Sequence, residues 1–145
     1  MPVTVTVSNP ISFEVLSDKI ARTAALNSVG LISQRVQNQG KNASGEQMVS
    51  KSEKKTGAYS RGWGNKRVKF GRQVSIIDLT FSGAMIDSFT FSPEGKNYVV
   101  GFSSDEQGKI AGYNEDEFGV IFNLSDSEND LVSSIIQDSL NEHFK

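Results

Sequence analysis

No cysteine occurs in the 145 residues, and histidine occurs once, as His143. The first absence excludes a disulfide framework, a thiol nucleophile and any Cys-ligated zinc or iron–sulfur centre. The second removes His-cluster metal sites and any Ser-His relay not built on His143. Proline is limited to three residues, and the longest apolar runs span only a few residues, far short of the ~20 that a membrane-spanning helix needs. The first ten residues contain neither the basic region nor the apolar core of a secretory signal. The expectation is a single domain over residues 1–145 that folds in a cytoplasm, is not an enzyme, and has no cofactor, metal or membrane partner.

Charge of one sign is also scarce, but only locally. The formal net charge is -2 from 15 Lys+Arg and 17 Asp+Glu. Divided between Ile77 and Asp78, the chain carries 12 basic and 4 acidic side chains before the boundary, and 3 basic and 13 acidic after it. Such an asymmetry suggests contact between unlike surfaces. Its densest part is 51–72, where Lys51, Lys54, Lys55, Arg61, Lys66, Arg67, Lys69 and Arg72 face Glu53 as the one acid.

What is present predicts an α+β fold: a small antiparallel sheet with a long N-terminal helix and a C-terminal helix packed on it, plus an extended basic arm. Residues 3–7 alternate valine and threonine, a short edge strand. Ser12 can cap a helix running from Phe13 to about Asn38, with Phe13, Leu16, Ile20, Ala24, Leu31 and Ile32 at roughly helical spacing and Gly30 as a weak point. From Gly40 to Arg72 apolar side chains are few, and 40–72 reads as a loop or arm that orders on assembly. Residues 88–92 and 96–102 alternate around Pro93, Glu94 and Gly95, a β-hairpin with a three- to four-residue loop. Phe89 and Phe91 on one strand and Tyr98, Val100 and Phe102 on the other give it an apolar face. Residues 105–114 suggest a short helix and 119–122 a buried strand. Ser125 with Glu128 forms a capping-box pattern before a helix carrying Leu131, Val132, Ile135, Ile136 and Leu140.

Few motifs point to chemistry. The acid runs Asp105-Glu106 and Glu115 to Glu117 read as solvated faces, because catalytic carboxylates need a dry cleft. Asp126, Glu128 and Asp130 imitate the start of an EF-hand loop, but Leu131 stands at the glycine position and Gln137 at the bidentate one. No dinucleotide or P-loop glycine spacing occurs. Asn42 and Asn123 begin chance glycosylation patterns, and His143 suits a helix C-terminus. The basic stretch is different. Tyr59, Trp63 and Phe70 interleave with its cations, a mixture that suits base stacking and phosphate neutralisation, a protein interface, or a plain solvated loop. Copies of a chain so polarised can meet head to tail.

Several segments in order resemble the tailed-phage virion morphogenesis family, the tail completion proteins. These are 32–36 (Ile-Ser-Gln-Arg-Val), 40–45, Tyr59-Ser60, Lys66-Arg67, Gly71-Arg72 and Val74 to Phe91, then Gly101-Phe102, 109–114 and 122–125. The most specific is Asp78-Leu79-Thr80-Phe81-Ser82-Gly83-Ala84-Met85, continuing to Ser88. Residues 115–119 depart from the pattern, being acidic and short where an arginine-containing aromatic stretch is usual. The resemblance implies a structural protein of the virion tail or neck, made in the host cytoplasm. It would form a ring, of six copies, joining the tail tube or tail terminator to the head connector, with DNA passing nearby and no sequence-specific binding. Ser82 would cap a short helical turn through Met85 and Ile86. Lys51, Lys54, Lys55, Tyr59, Arg61, Trp63, Lys66, Arg67, Lys69 and Arg72 would then meet a neighbour's acidic half, with Asp78 and Asp87 exposed to its arm. The alternative is a small nucleic-acid-binding module using 51–72.

Overall fold

A computed structural model of the chain describes residues 5–7, 14–95 and 97–144, with side chains from residue 18 onward. The fold is α+β, as the pattern of the chain predicts. In order, it runs β1 (Val5–Val7), α1 (Glu14–Gln34) with a π-helical turn at Arg35–Gln39, β2 (Lys55–Thr56), β3 (Tyr59–Ser60), α2 (Arg61–Lys69), α3 (Ala84–Ser88), β4 (Phe89–Glu94), β5 (Asn97–Phe102), α4 (Asp105–Phe118) and α5 (Asp126–His143). The expected cap Ser12 and the apolar Phe13 lie outside the described residues.

The hairpin β4–β5 is the centre of a three-stranded antiparallel sheet of order β1-β5-β4. Val5 pairs with Val100, Phe89 with Phe102 and Phe91 with Val100. The loop is tighter than expected: Pro93 and Glu94 belong to the ladder, opposite Tyr98 and Asn97, and the chain reverses at Gly95 with φ +62°. Proline is tolerated there because β4 is an edge strand. Along α1, Ile20, Ala21, Ala24, Ala25, Ser28, Ile32 and Val36 are buried at three- and four-residue spacing. The small residues let the helix approach the strands closely. Gly30 is exposed and does not interrupt the helix. The helix ends at Gly40, φ +63°, whose N–H donates to the Val36 carbonyl.

The sheet's aromatic face closes on Phe122, which stands 5.3 Å from Phe89 and 4.9 Å from Phe102 between ring centroids. Segment 119–122 is nevertheless not a strand. Its apolar run is buried at Ile121 and Phe122, but the backbone is held by other means: both amides donate to Glu115 Oε2, at 2.6 and 3.1 Å, and the Val120 carbonyl accepts from Ala43 N–H. Glu115 belongs to α4, which extends four residues beyond the expected Asn114.

The capping box at Ser125 forms as expected, with both reciprocal hydrogen bonds. The helix it starts packs on α1, with Val132 in the core and Ile136 against it. Glu128 does more than cap. Its carboxylate pairs with Arg35, a buried ion pair in which the guanidinium also donates to the carbonyls of Ile121, Asn123 and Lys41. Burial lowers the Arg35 pKa from its ordinary value, and Glu128 opposes that shift. Asn42 is likewise internal: its amide donates to the Phe118 carbonyl and its Oδ1 accepts from Ser44 and Glu46 N–H. No described helix is long and apolar enough to cross a membrane.

Candidate functional site

Segment 51–72, expected as an arm, is laid down on its own chain. Hairpin β2–β3 pairs Lys55 with Ser60 and Thr56 with Tyr59, and Gly57 makes its turn with φ +62°. The next residue anchors the hairpin, Ala58 N–H donating to the Val74 carbonyl at 2.8 Å and Ala58 C=O accepting from Ser50. Helix α2 follows directly. Composition concealed this because the segment is held by backbone bonds, two buried apolar residues and one buried cation rather than by an apolar stripe.

That cation is Arg67, 1% exposed. Its Nη2 donates to Asp78 Oδ1 at 3.1 Å, its Nη1 to the Thr80 carbonyl at 3.0 Å and its Nε to the Gln73 carbonyl at 2.9 Å. The guanidinium lies over the Tyr59 ring, 4.4 Å from its centroid. Tyr59 Oη donates to Asp78 Oδ1 at 3.2 Å and accepts from Asp78 N–H at 3.1 Å. Gln73 Nε2 and Thr80 N–H complete the carboxylate's partners, at 2.8 and 2.9 Å. A buried charge is tolerable only with such a full set of partners.

Tyr59, Arg67 and Asp78 are therefore brought together inside one subunit: Tyr59 and Arg67 are buried there, a correction to their expected place at an interface, and Asp78, expected as exposed, keeps its side chain 16% exposed with its carboxylate engaged by them. The basic half does reach the acidic half, across the Ile77–Asp78 boundary, but within the same chain. Burial pushes the Tyr59 phenol from 10.0 to about 12. The folded state thus holds this proton more tightly than the unfolded one. Tyr59 stabilises the fold fully below pH 10, and this contribution is lost as pH rises from 10 through about 12. In ultraviolet titration Tyr59 is expected to ionise well above the ordinary tyrosine range, and Tyr59→Phe to flatten the decline of stability over that window. An unchanged decline in the variant would contradict this.

The network fixes the loop 77–83, and the loop walls a groove of about 410 Å³ with α2, α3 and α4. Leu79 there has φ +55°, the one positive value outside glycine among the described residues, a conformation costing about 1–2 kcal/mol. The hydrogen bonds of Asp78 and Thr80 on either side hold it, and it places Leu79 in the groove wall. Met85 and Ile77 are buried beneath, and Ile110 and Phe118 of α4 form the far side. Ser82 Oγ accepts from Ala84 N–H at 3.3 Å, as expected of a cap, although Gly83 in the left-handed region is the residue that precedes the helix.

Trp63, 40% exposed, forms the near rim with Phe81, 5.1 Å between centroids, and Phe70 packs edge-on against Phe81 at 5.5 Å. The Lys66 ammonium sits 5.0 Å from the Trp63 ring centre and 5.6 Å from that of Phe81. Lys51, Lys54, Lys55, Arg61, Lys69, Arg72 and Asp87 are exposed. Leu79 and the α4 wall were missed in the sequence. Ile110, a lone large aliphatic residue in a polar helix, was the signal that could have marked that wall. Among the described residues no group of three or more His, Asp or Glu could hold a metal ion. Asp105 and Glu106 occupy the first turn of α4, where the helix dipole favours them.

The arrangement offers a largely apolar recess with Lys66 over the aromatic rim, and Ser50, Ser60, Ser82, Gln107, Asn114 and Glu117 as polar side chains of its lining. Comparisons with protein-family models, curated proteins and solved structures find no match to this chain.

Proposed function

We propose that the chain is a structural protein of a tailed-phage virion that completes the tail or neck, assembling as a ring of its own copies between the tail tube or terminator and the head connector. One observation carries the reading. Seven cations of the basic segment, Lys51, Lys54, Lys55, Arg61, Lys66, Lys69 and Arg72, are exposed, and none has a carboxylate within 4 Å among the described residues. Helices α4 and α5 meanwhile expose Asp105, Glu106, Asp116, Glu117, Asp126, Asp130, Asp138 and Glu142. Opposite surfaces of this kind, left uncompensated within the subunit, suit a heterologous contact that closes on itself, and they steer assembly and fix its register.

The resemblance supports the same reading, because its most specific stretch, Asp78 to Ser88, is the loop and helix that build the groove. Nucleic-acid binding keeps two of its three aromatic residues, Trp63 and Phe70, beside Lys66 and Lys69. It loses Tyr59, which lies buried under Arg67. The internal use of Tyr59 favours the protein interface.

Native mass measurement of the purified chain, alone and with the neighbouring neck proteins, tests the ring. The expected result is a closed multiple of the chain mass, six by the resemblance. A monomer under both conditions at tens of micromolar would refute it. Reversing Lys54, Lys55, Lys66 and Lys69 to Glu is expected to abolish ring formation and infectious-particle assembly, and unchanged assembly would count against the charge argument. Random-sequence DNA binding discriminates the alternative: a salt slope equivalent to about six or more phosphate contacts supports the nucleic-acid module.

A further inference from the structure

The groove beside the Arg67–Asp78 network is lined mainly by apolar side chains, with Lys66 over the Trp63 and Phe81 rings of its rim and Glu117 on its α4 wall. We infer that it receives helix α5 of a second copy, along the stripe Leu131, Ile135, Asp138 and Glu142. This rests on the ring reading and specifies its contact.

On the receiving side, the recess of about 410 Å³ exceeds the roughly 150 Å³ that admits a benzene-sized apolar group, so it has room for aliphatic side chains from a partner. Its rim keeps Trp63 and Ile110 exposed at 40% and 38%. Lys66 and Lys69 stand three residues apart on α2, both exposed and without a carboxylate partner among the described residues. The Lys66 ammonium is held over the two aromatic rings at the rim.

On the donor side, α5 packs on α1, with Val132 in the core and Ile136 against it. Residues 131, 135, 138 and 142 follow at i, i+4, i+7 and i+11, a second stripe along the helix. Leu131 is 52% exposed, Ile135 half-buried, and Asp138 and Glu142 exposed and unpaired among the described residues. The stripe begins apolar and ends acidic. Its two carboxylates are one turn apart, as are the two ammonium groups of α2, and residues so placed have Cβ atoms ~5–6 Å apart on either helix. Leu131 and Ile135 can enter the recess while the acids meet Lys66 over the α2 rim and Lys69 beyond it; the carboxylate of the lining, Glu117, stands on the α4 wall. Groove and stripe are different surfaces, so the contact is head to tail and each copy offers one of each.

The test is a charge exchange read by light scattering on the full chain. Lys66→Glu with Lys69→Glu, and separately Asp138→Lys with Glu142→Lys, are each expected to weaken self-association by at least about tenfold. An equimolar mixture of the two variants restores it, because each reversed groove then meets a reversed helix and each native groove a native one. Loss in both variants without recovery on mixing overturns the pairing of groove with α5. Wild-type assembly that both variants retain also overturns it, and leaves the ring standing on some other contact. A wild-type chain that stays monomeric with its neck neighbours overturns the ring reading and this contact together. Should a reversed variant lose its circular dichroism, Leu131→Asp, at an exposed position, carries the same expected loss, and unimpaired assembly of that variant rejects the contact.

Discussion

Replacing Arg67 with Ala is expected to destabilise the chain by about 3–5 kcal/mol, the range for breaking a buried ion pair from one side. The guanidinium joins α2, which carries it, to the Gln73 and Thr80 carbonyls through Nε and Nη1 and to Asp78 through Nη2. Its removal leaves two carbonyls without their donor and a carboxylate whose side chain is 16% exposed without its cation. Asp78→Ala is expected to cost a similar amount, because Arg67 would then be a buried charge balanced by carbonyl dipoles alone. The double variant should cost less than the two losses added, since neither charge remains uncompensated. Arg67→Lys is not expected to rescue, because an ammonium cannot serve three directed acceptors while lying flat on the Tyr59 ring. Urea unfolding followed both by Trp63 fluorescence and by far-ultraviolet circular dichroism checks this. In the variants the fluorescence transition is expected to come first, as the basic segment leaves the body before the helices melt. A shift in stability below about 1 kcal/mol for Arg67→Ala would refute the role given to the network.

Gly57→Ala carries the second large effect, expected at about 3 kcal/mol or more. Two costs coincide at this position. The residue has φ +62°, where a Cβ costs about 1–2 kcal/mol, and a Cβ built there would stand 2.1 Å from the Val74 carbonyl oxygen and 2.7 Å from its carbon. Backbone cannot step aside as a side-chain tip can, so the β2–β3 hairpin must lift and give up the Ala58 to Val74 bond at 2.8 Å. Gly45→Ala is the control. Its φ is +83° but nothing lies within 4 Å of its added Cβ, so it bears the conformational cost alone. Denaturant midpoints for the two variants should therefore differ clearly, and equal losses would show that the close approach at Val74 does not matter.

The parts of the fold that were legible in the sequence are those whose signal is local. Ser125 and Glu128 form their box because both partners lie within one turn, and the hairpin 89–102 pairs as its alternation requires. The parts that were not legible depend on distant side chains serving backbone. An apolar run at 119–122 is what a buried strand looks like, but Glu115, Arg35 and Ala43 take its polar groups, and no periodicity announces that a carboxylate will replace a ladder. The candidate site was half legible. The cations, the aromatics and the Asp78–Ser88 stretch were visible as groups. Which arginine would be buried was not, because Arg67 is distinguished from Arg61 and Arg72 only by what the fold brings over it. The charge boundary between Ile77 and Asp78 is accordingly a seam closed within the subunit as well as a polarity offered to others.

Pro93 adds a constraint on how copies can join. It lies in β4, which among the described residues has β5 on one side and no further strand on the other. A proline in that strand supplies no amide hydrogen to an incoming strand, and Thr90, Ser92 and Glu94 around it are exposed and polar. Sheet extension by strand addition at β4 is thereby discouraged. On this side of the molecule, growth from copy to copy is left to side-chain surfaces, whose charges can be matched, tuned and reversed one residue at a time, and a fibre-like continuation of the sheet finds no ready starting edge at β4.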